Sequence, residues 1–447
     1  MGFKIAVASL GCAKNLVDTE NMLGLLLEQG HALTIEPSKA DIIIVNTCGF
    51  IGDAKKESID TILEMAEYKE NGACRALIVT GCLAERYKEE ILESIEEVDA
   101  VVGPGEFDKI VEVVGSVLAG KRVALYGHAD LYAMENLPRV TTTPPHTAYL
   151  KIAEGCDNHC TYCVIPALRG KFRSRSIEDI CAEARELAQN GVKELILIAQ
   201  DTTRYGTDLY GEYALDKLLQ ALCAVEGIHW IRLHYMYPEA ITDALLETIA
   251  ANDKILNYFD IPVQHGADSV LRRMGRRTNA AQMRLLFQKI RKYCPDAILR
   301  TSVIVGFPGE TREEFDTLLD FVREERFDRL GAFAYSKEEG TPAARMDHQV
   351  HHQTKKARQR RVMELAQSIS AQKNDARLGS TVEVLCEGYD EENYMYYGRS
   401  YADSPNVDAL VYFAATRDLK AGEFVRVKVL CVEEYDLIGE MENEFTE

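Results

Sequence analysis

The sequence predicts a multidomain α/β protein with three folded parts: a Rossmann-like parallel α/β domain, a partial (β/α)6 barrel and a small antiparallel β-barrel of OB-like type. Three observations support this fold class. The chain has 447 residues, more than one hydrophobic core ordinarily holds. Apolar strands alternate with helical stretches over most of the chain. Beyond residue 379 the pattern changes to short alternating strands separated by glycines.

We predict domains over residues 1–125, 147–375 and 379–445, with a linker over 126–146 that contains a Thr-Thr-Thr-Pro-Pro run. Hydrophobic residues make up 47% of the chain and charged residues 27%, which is typical of a globular protein. The sequence contains no uncharged apolar stretch of about 18 residues, and its start does not resemble a signal peptide. We therefore expect a cytoplasmic protein with no membrane partner.

The first domain places a cysteine after each of three short apolar runs, at residues 3–9, 41–47 and 76–80. These cysteines are Cys12, Cys48 and Cys82, and their separations are close to one βαβ repeat. Carboxyl ends of parallel strands share the sheet edge at which α/β folds bind ligands. Three buried structural cysteines are one interpretation. The equivalent placement after three strands favours a three-cysteine iron-sulfur site, helped by helix starts that favour thiolate.

The second domain repeats a strand and helix pattern. Its predicted strands cover residues 149–153, 194–199, 230–235, 259–263, 299–305 and 330–335. Its clearest helical patterns cover residues 177–189, 213–225 and 312–323. Six βα units are too few for a closed eight-stranded barrel, so we predict an open partial barrel with room for a macromolecular substrate.

A loop after the first of these strands holds three cysteines within eight residues, Cys156, Cys160 and Cys163, in the spacing C-x3-C-x2-C. One short loop can direct three sulfurs at a single metal centre. A zinc knuckle or a chance group of thiols is the alternative, but structural zinc sites normally have four protein ligands. Three thiolates favour an iron-sulfur cluster with one open iron.

This spacing, with Tyr162 directly before the last cysteine, resembles the signature of the radical S-adenosylmethionine enzymes. The resemblance implies a 4Fe-4S cluster whose open iron chelates S-adenosyl-L-methionine and delivers the electron that cleaves it to a 5'-deoxyadenosyl radical. Residues just past the barrel strands face the site of such a fold. With Tyr162, the candidate S-adenosylmethionine contacts are Gln200, Asp201, Thr202, Gln264 and Gly306.

The charge of the chain limits its partners. The formal net charge is −20 and the pI is near 5.1. Residues 379–447 hold 5 Lys and Arg against 16 Asp and Glu, a net charge of −11. Such a surface opposes contacts with phosphate, so nucleic acid is not expected to be the primary partner, and a basic protein is favoured.

The order of the three parts resembles the radical S-adenosylmethionine methylthiotransferases, which carry a cluster domain, a radical core and a TRAM barrel. Three segments resemble the RimO-type branch: residues 9–18 (SLGCAKNLVD), 200–202 (QDT) and 260–265 (DIPVQH). The tRNA-modifying, MiaB-like branch typically has Gln-Met-Asn after its first cysteine, where this chain has Ala13-Lys14-Asn15. Ala13 departs from the RimO-type pattern, which often has proline there.

The resemblance implies methylthiolation of an aspartate β-carbon in a basic small-subunit ribosomal protein, the twelfth. It implies two 4Fe-4S clusters as cofactors, one on Cys156, Cys160 and Cys163 and an auxiliary one on Cys12, Cys48 and Cys82. One S-adenosylmethionine donates the methyl group and a second is the radical source, so no residue is assigned as a general acid or base. A reductant protein and a sulfur donor are the other implied partners. A tRNA adenosine methylthiotransferase and a non-catalytic iron-sulfur carrier remain as alternatives.

Overall fold

The computed structural model describes residues 2–127 and 135–442 and shows three folded units there. Residues 128–134 of the predicted linker and 443–445 of the predicted third domain lie outside the described residues. Among the described helices, none has the length and apolar character needed to cross a bilayer.

The first unit is a six-stranded parallel sheet with the strand order β2-β1-β3-β4-β5-β6. Its strands are β1 (Lys4–Ser9), β2 (Ala32–Leu33), β3 (Ile42–Thr47), β4 (Ala76–Gly81), β5 (Ala100–Val102) and β6 (Val123–Leu125). Its helices are α1 (Ala13–Glu28), α2 (Gly52–Ala66), α3 (Tyr68–Asn71), α4 (Cys82–Tyr87), α5 (Glu89–Ser94) and α6 (Ile110–Leu118). From β1 the chain continues to β2 on one side, and it then returns to β3 on the other side of β1. The point between β1 and β3, where the strand order reverses, is a common ligand site in α/β folds.

The second unit is the predicted open barrel. Its six large strands pair in parallel and in the order β7-β10-β11-β12-β13-β14, and β7 and β14 are the two edges. The strands are β7 (Thr147–Lys151), β8 (Ala153–Glu154), β9 (Arg173–Ser174), β10 (Glu194–Ile198), β11 (Trp230–Leu233), β12 (Ile255–Asp260), β13 (Ile298–Val305) and β14 (Arg329–Ala334). The helices are α7 (Ile165–Arg169), α8 (Ile177–Gln189), α9 (Leu215–Cys223), α10 (Asp243–Ala250), α11 (Asp268–Arg273), α12 (Ala280–Tyr293), α13 (Arg312–Glu325) and α14 (His352–Asp375).

One predicted strand of the barrel is wrong in position. We expected residues 259–263, whereas β12 covers Ile255–Asp260. The other strands were predicted from continuous apolar runs. In β12 such a run is interrupted by Asn257, so the sequence did not indicate that this strand starts at Ile255. Pro262 has no backbone N–H to donate to a ladder. The regular ladder with β13 stops at Asp260, and an isolated bridge further on joins Gln264 to Val303.

Alternate residues of the barrel strands face two different environments. In β10, Leu195 and Leu197 belong to the core formed with the surrounding helices. Ile196 and Ile198 point into the barrel and pack against Val17 of α1. Helix α1 of the first unit therefore covers one end of the barrel interior, as the two-residue period of a strand permits.

The third unit is a closed five-stranded barrel. Its Leu385 packs against Trp230 and Ile298, at the start of two open-barrel strands, so it covers the other end of the interior. Its strands are β15 (Thr381–Asp390), β16 (Met395–Ser400), β17 (Val411–Ala414), β18 (Phe424–Val432) and β19 (Leu437–Met441). At the junction, Glu194 accepts from Arg232 Nε at 2.8 Å and from Arg399 Nη2 at 2.6 Å. All three side chains are fully or almost fully buried.

These element bounds support the predicted domain limits, which we retain as a proposal. The first sheet ends at Leu125 and the open barrel begins at Thr147. Helix α14 ends at Asp375 and the closed barrel begins at Thr381. The segment between the first two units contacts both of them, because Arg139 forms ion pairs with Glu20 at 2.6 Å and with Glu183 at 2.6 Å.

Replacing Glu194 with glutamine should destabilise the junction of the two barrels by about 3–5 kcal/mol, because two buried guanidinium groups lose their shared carboxylate. Urea unfolding followed by fluorescence measures the effect. Trp230 is the only tryptophan, and its ring lies 4.8 Å from that of Phe424 in the closed barrel. Glu212→Gln, which removes an exposed pair with Lys217, is the control and should leave the urea midpoint unchanged. Equal midpoints for both variants would contradict the prediction.

The stabilising effect of Glu194 should also depend on pH. Burial disfavours its charged form, but Arg399 and Arg232 outweigh burial and lower the pKa of Glu194 to about 2, from an ordinary value of 4.5. A carboxyl with a lowered folded-state pKa stabilises above its unfolded pKa and loses that effect as pH falls. The difference in urea midpoint between wild type and Glu194→Gln should therefore be complete above pH 4.5 and shrink from there towards pH 2. A difference in urea midpoint that stays constant between pH 4.5 and pH 2 would refute this pH dependence.

Candidate functional site

One cavity of about 330 Å³ lies between the first unit and the open barrel. All six predicted metal ligands line it: Cys12, Cys48, Cys82, Cys156, Cys160 and Cys163. The first three come from one domain and the last three from another. The structure therefore brings together two cysteine sets that the sequence could only treat separately.

The first set comes from the carboxyl edge of the first sheet. Cys12 and Cys48 follow β1 and β3, the strands at the switch point, and Cys82 begins α4 directly after β4. The three thiols are close enough to interact electrostatically with one another. Burial raises the pKa of the Cys82 thiol to about 11. The predicted convergence of three thiols at one sheet edge is what the geometry shows.

The second set lies on the loop between β8 and α7. Cys156 Sγ accepts the backbone N–H of Asn158 at 3.4 Å, and Cys163 Sγ accepts that of Ile165 at 3.4 Å. Burial raises the pKa of Cys156 to about 11 and that of Cys163 to about 12. Gly155 allows the tight entry to the loop, since its φ is +79° and a Cβ there would lie 2.0 Å from a backbone oxygen.

The donor set fits iron-sulfur clusters better than zinc. Structural zinc sites are normally closed by four protein ligands, whereas each cysteine set offers three thiols to the cavity. Three thiols directed into an open cavity match a larger cluster that keeps one iron free of protein ligands.

Arg169, the last residue of α7, connects the two cysteine sets. Its Nε lies 3.4 Å from Cys82 Sγ, its Nη1 donates to Glu154 at 2.7 Å, and its Nη2 pairs with Asp18 at 3.0 Å. Burial opposes the ionisation of Glu154, but Arg169 and Lys151 hold the pKa of Glu154 well below its usual range. The loop of the second set is thereby fixed against helix α1 by charges.

Three of the six predicted S-adenosylmethionine contacts line the cavity: Tyr162, Gln200 and Gln264. Gln264 has a φ of +68°, which non-glycine residues seldom adopt and which is frequent at functional sites. The side-chain amide of Gln200 donates to Glu154, next to the second cysteine loop. These three positions could all reach a ligand bound in the cavity.

The other three are not among the lining residues and make contacts within the protein. Asp201 accepts from Asn158 Nδ2 at 2.9 Å, and Thr202 donates to the carbonyl of His234 at 2.7 Å. The Gly306 N–H donates to Glu310 at 2.6 Å. Their roles as cofactor contacts stay predictions without support from the cavity.

Sequence reasoning missed several lining residues. Lys14 and Asn15 lie two and three residues after Cys12, and their closeness to the first ligand was the available signal. Tyr235 and Tyr237 follow strand β11, where the barrel rule places functional residues. Tyr235 has a φ of +57°, and its backbone N–H donates to Asp260 at 3.1 Å.

Family models match each unit. The first matches an uncharacterised protein family, UPF0004, over residues 4–103. The second matches the radical SAM superfamily over residues 150–322, and the third matches the TRAM domain over 378–441. The fold is similar to that of the radical S-adenosylmethionine methyltransferase TsrM from Kitasatospora setae, with a TM-score of 0.55 and 12% identity over 77% of each chain. Fold and cysteine loop together define a radical S-adenosylmethionine enzyme.

Two curated relatives narrow this class. Both are named ribosomal protein uS12 methylthiotransferase RimO. The one from Lachnoclostridium phytofermentans is 52% identical and covers 98% of this chain and 100% of the relative. The one from Desulforamulus reducens is 53% identical, and the match covers 98% of this chain and 99% of the relative. The chain therefore belongs to the RimO family of radical S-adenosylmethionine methylthiotransferases. This confirms the predicted fold class, enzyme class and cofactors, 4Fe-4S clusters with S-adenosyl-L-methionine.

Proposed function

We propose that this enzyme attaches a methylthio group to the β-carbon of an aspartate in ribosomal protein uS12. It uses one S-adenosyl-L-methionine as methyl donor and a second as radical source. The observation that carries the proposal is the single cavity that both cysteine sets line, because transfer of a group requires its source and the activated carbon to share one space. We infer the substrate from the names of the two RimO relatives, which match this chain over nearly their whole length.

Cys156, Cys160 and Cys163 would hold the cluster that binds S-adenosylmethionine, and Cys12, Cys48 and Cys82 would hold the auxiliary cluster. When bound, the first cluster supplies the cleaving electron and the second supplies the sulfur. Tyr162, Gln200 and Gln264 would orient S-adenosylmethionine from the barrel side of the cavity.

Residues in and beside the cavity lining would control charge and the access of water. The Arg276 guanidinium lies 3.8 Å from Cys160 Sγ and 4.4 Å from the ring of Tyr237, so a cation faces the second cysteine set as Arg169 faces the first. Such cations favour thiolate over thiol. Phe50 and Tyr235 add aromatic surface to the lining, which limits the access of water to a reactive species.

The charge of the surface supports a basic protein substrate. Residues 379–447 hold 5 Lys and Arg against 16 Asp and Glu, so the closed barrel carries a large excess of acidic side chains. Ribosomal proteins are basic, whereas tRNA would be repelled. Since uS12 is a ribosomal protein, we also propose a cytoplasmic location, with a reductant protein and a sulfur donor as partners.

Iron content tests the ligand assignment. Anaerobically reconstituted protein should bind about eight irons per chain, as two 4Fe-4S clusters require. Replacing Cys156, Cys160 and Cys163 together with alanine should leave about four irons, because the auxiliary set is untouched. The same variant should not cleave S-adenosylmethionine, because it lacks the cluster that binds this cofactor. The reciprocal variant of Cys12, Cys48 and Cys82 should also keep about four irons. Cys431→Ala, at an exposed cysteine of the closed barrel, is the control and should bind the full amount. Retained cleavage in the first variant would disprove its assignment.

Mass spectrometry tests the substrate. The reduced holoenzyme is incubated anaerobically with S-adenosylmethionine, a sulfide source and either uS12 or tRNA. We expect a methylthio mass gain on one aspartate of uS12 and none on tRNA. A mass gain on tRNA alone would show that the enzyme modifies tRNA and that the assignment of uS12 as its substrate is wrong. If S-adenosylmethionine is not cleaved at all, the non-catalytic iron-sulfur carrier becomes the better account.

A further inference from the structure

Lys14 is a buried cation that lines the cavity. It lies in the first turn of α1, and only 7% of the residue is exposed. Its Nζ lies 3.4 Å from the centroid of the Tyr235 ring and 3.4 Å from the carbonyl oxygen of Ala199. In the part of the chain that the structure describes, no carboxylate forms an ion pair with it.

Two neighbouring buried cations, Arg169 and Lys151, are paired with carboxylates. Arg169 contacts the carboxylates of Glu154 and Asp18, and Lys151 contacts the same two groups. Lys14 instead faces the Tyr235 ring, one carbonyl oxygen and the thiol of Cys12, with which it interacts electrostatically. None of these groups is a carboxylate, so an anionic ligand that enters the cavity would add an ion pair to a buried ammonium.

We propose that the Lys14 ammonium binds the side-chain carboxylate of the target aspartate. This inference rests on the proposed function and identifies how its substrate is recognised. Lys14 lies two residues after Cys12 and contacts Tyr235 of the open barrel, so it belongs to the boundary between the two cysteine sets. The carboxylate is bonded directly to the β-carbon. Pairing at Lys14 therefore holds the reacting carbon at that boundary, and it discriminates against the neutral amide of asparagine.

A role for Lys14 in balancing cluster charge is the competing explanation. Arg169 and Arg276 already lie beside a thiol of each set, at 3.4 Å from Cys82 and 3.8 Å from Cys160. The two roles differ in what removal of the charge would do. Loss of a substrate contact changes the preference for aspartate, whereas loss of a cluster contact changes iron binding.

The test measures the affinity of the anaerobic holoenzyme for uS12 and for uS12 whose target aspartate is replaced by asparagine. Wild type should bind the aspartate form about 10- to 100-fold more tightly, the range for a hydrogen bond between charged groups. Lys14→Met keeps the length of the side chain and removes its charge, and it should reduce that ratio to near one. Lys39→Met removes an exposed lysine of the same domain and should keep the wild-type ratio.

Iron content of each variant is measured alongside. A wild type that methylthiolates uS12 but binds both forms equally would overturn the role of Lys14, and so would a Lys14→Met enzyme that keeps the preference. Loss of iron in Lys14→Met together with an unchanged preference would assign Lys14 to the auxiliary cluster. A wild type that does not modify uS12 at all would instead overturn the proposed function, which separates the two failures.

Discussion

The ionic contacts of Arg169 are the constraint on which the site depends. This side chain belongs to the barrel, yet it reaches Asp18 and Cys82 of the first domain while it also holds Glu154 at the base of the cysteine loop. A buried guanidinium is costly unless its donors are satisfied, so these partners must all be present at once. The position of one cysteine set relative to the other is thereby defined by directional contacts. Apolar packing alone, as between Val17 and Ile196, would tolerate sliding.

The closed barrel contributes to the same site from the opposite end. Asp408 of this barrel lies 3.5 Å from Arg300 Nε, and Arg300 in turn donates to Asp260 at 2.7 Å. Asp260 accepts the backbone N–H of Tyr235, a residue of the cavity held at a positive φ. A chain of charged contacts thus extends through the barrel interior. A domain with an acidic outer surface therefore also supports the conformation of a cavity residue.

Charge has two distinct uses in this protein. Inside, Arg169, Arg232 and Arg399 are matched to carboxylates, as burial demands. Over the whole chain, an excess of Asp and Glu gives a formal net charge of −20, which favours basic partners over polyphosphates. Lys14 fits neither use, because it is buried and has no carboxylate partner among the described residues. Its place in the cavity lining is the basis of the substrate contact proposed above.

The sequence by itself singled out six cysteines as candidate ligands and determined the order of the three folded units and most strand positions. These features depend on local patterns: ligand spacing within one loop, a repeated strand and helix unit, and alternating apolar residues. Strand β12 was misplaced because Asn257 breaks such a pattern and Pro262 ends it. The tertiary structure alone decided that both cysteine sets share one cavity. It also decided that Asp201, Thr202 and Gly306 lie outside the lining of this cavity. Only the structure shows that Arg169, Glu194 and Lys14 are buried charged residues at contacts between domains. The partners of these charged residues are distant in sequence, and the packing of separate domains, which no local pattern encodes, brings them together.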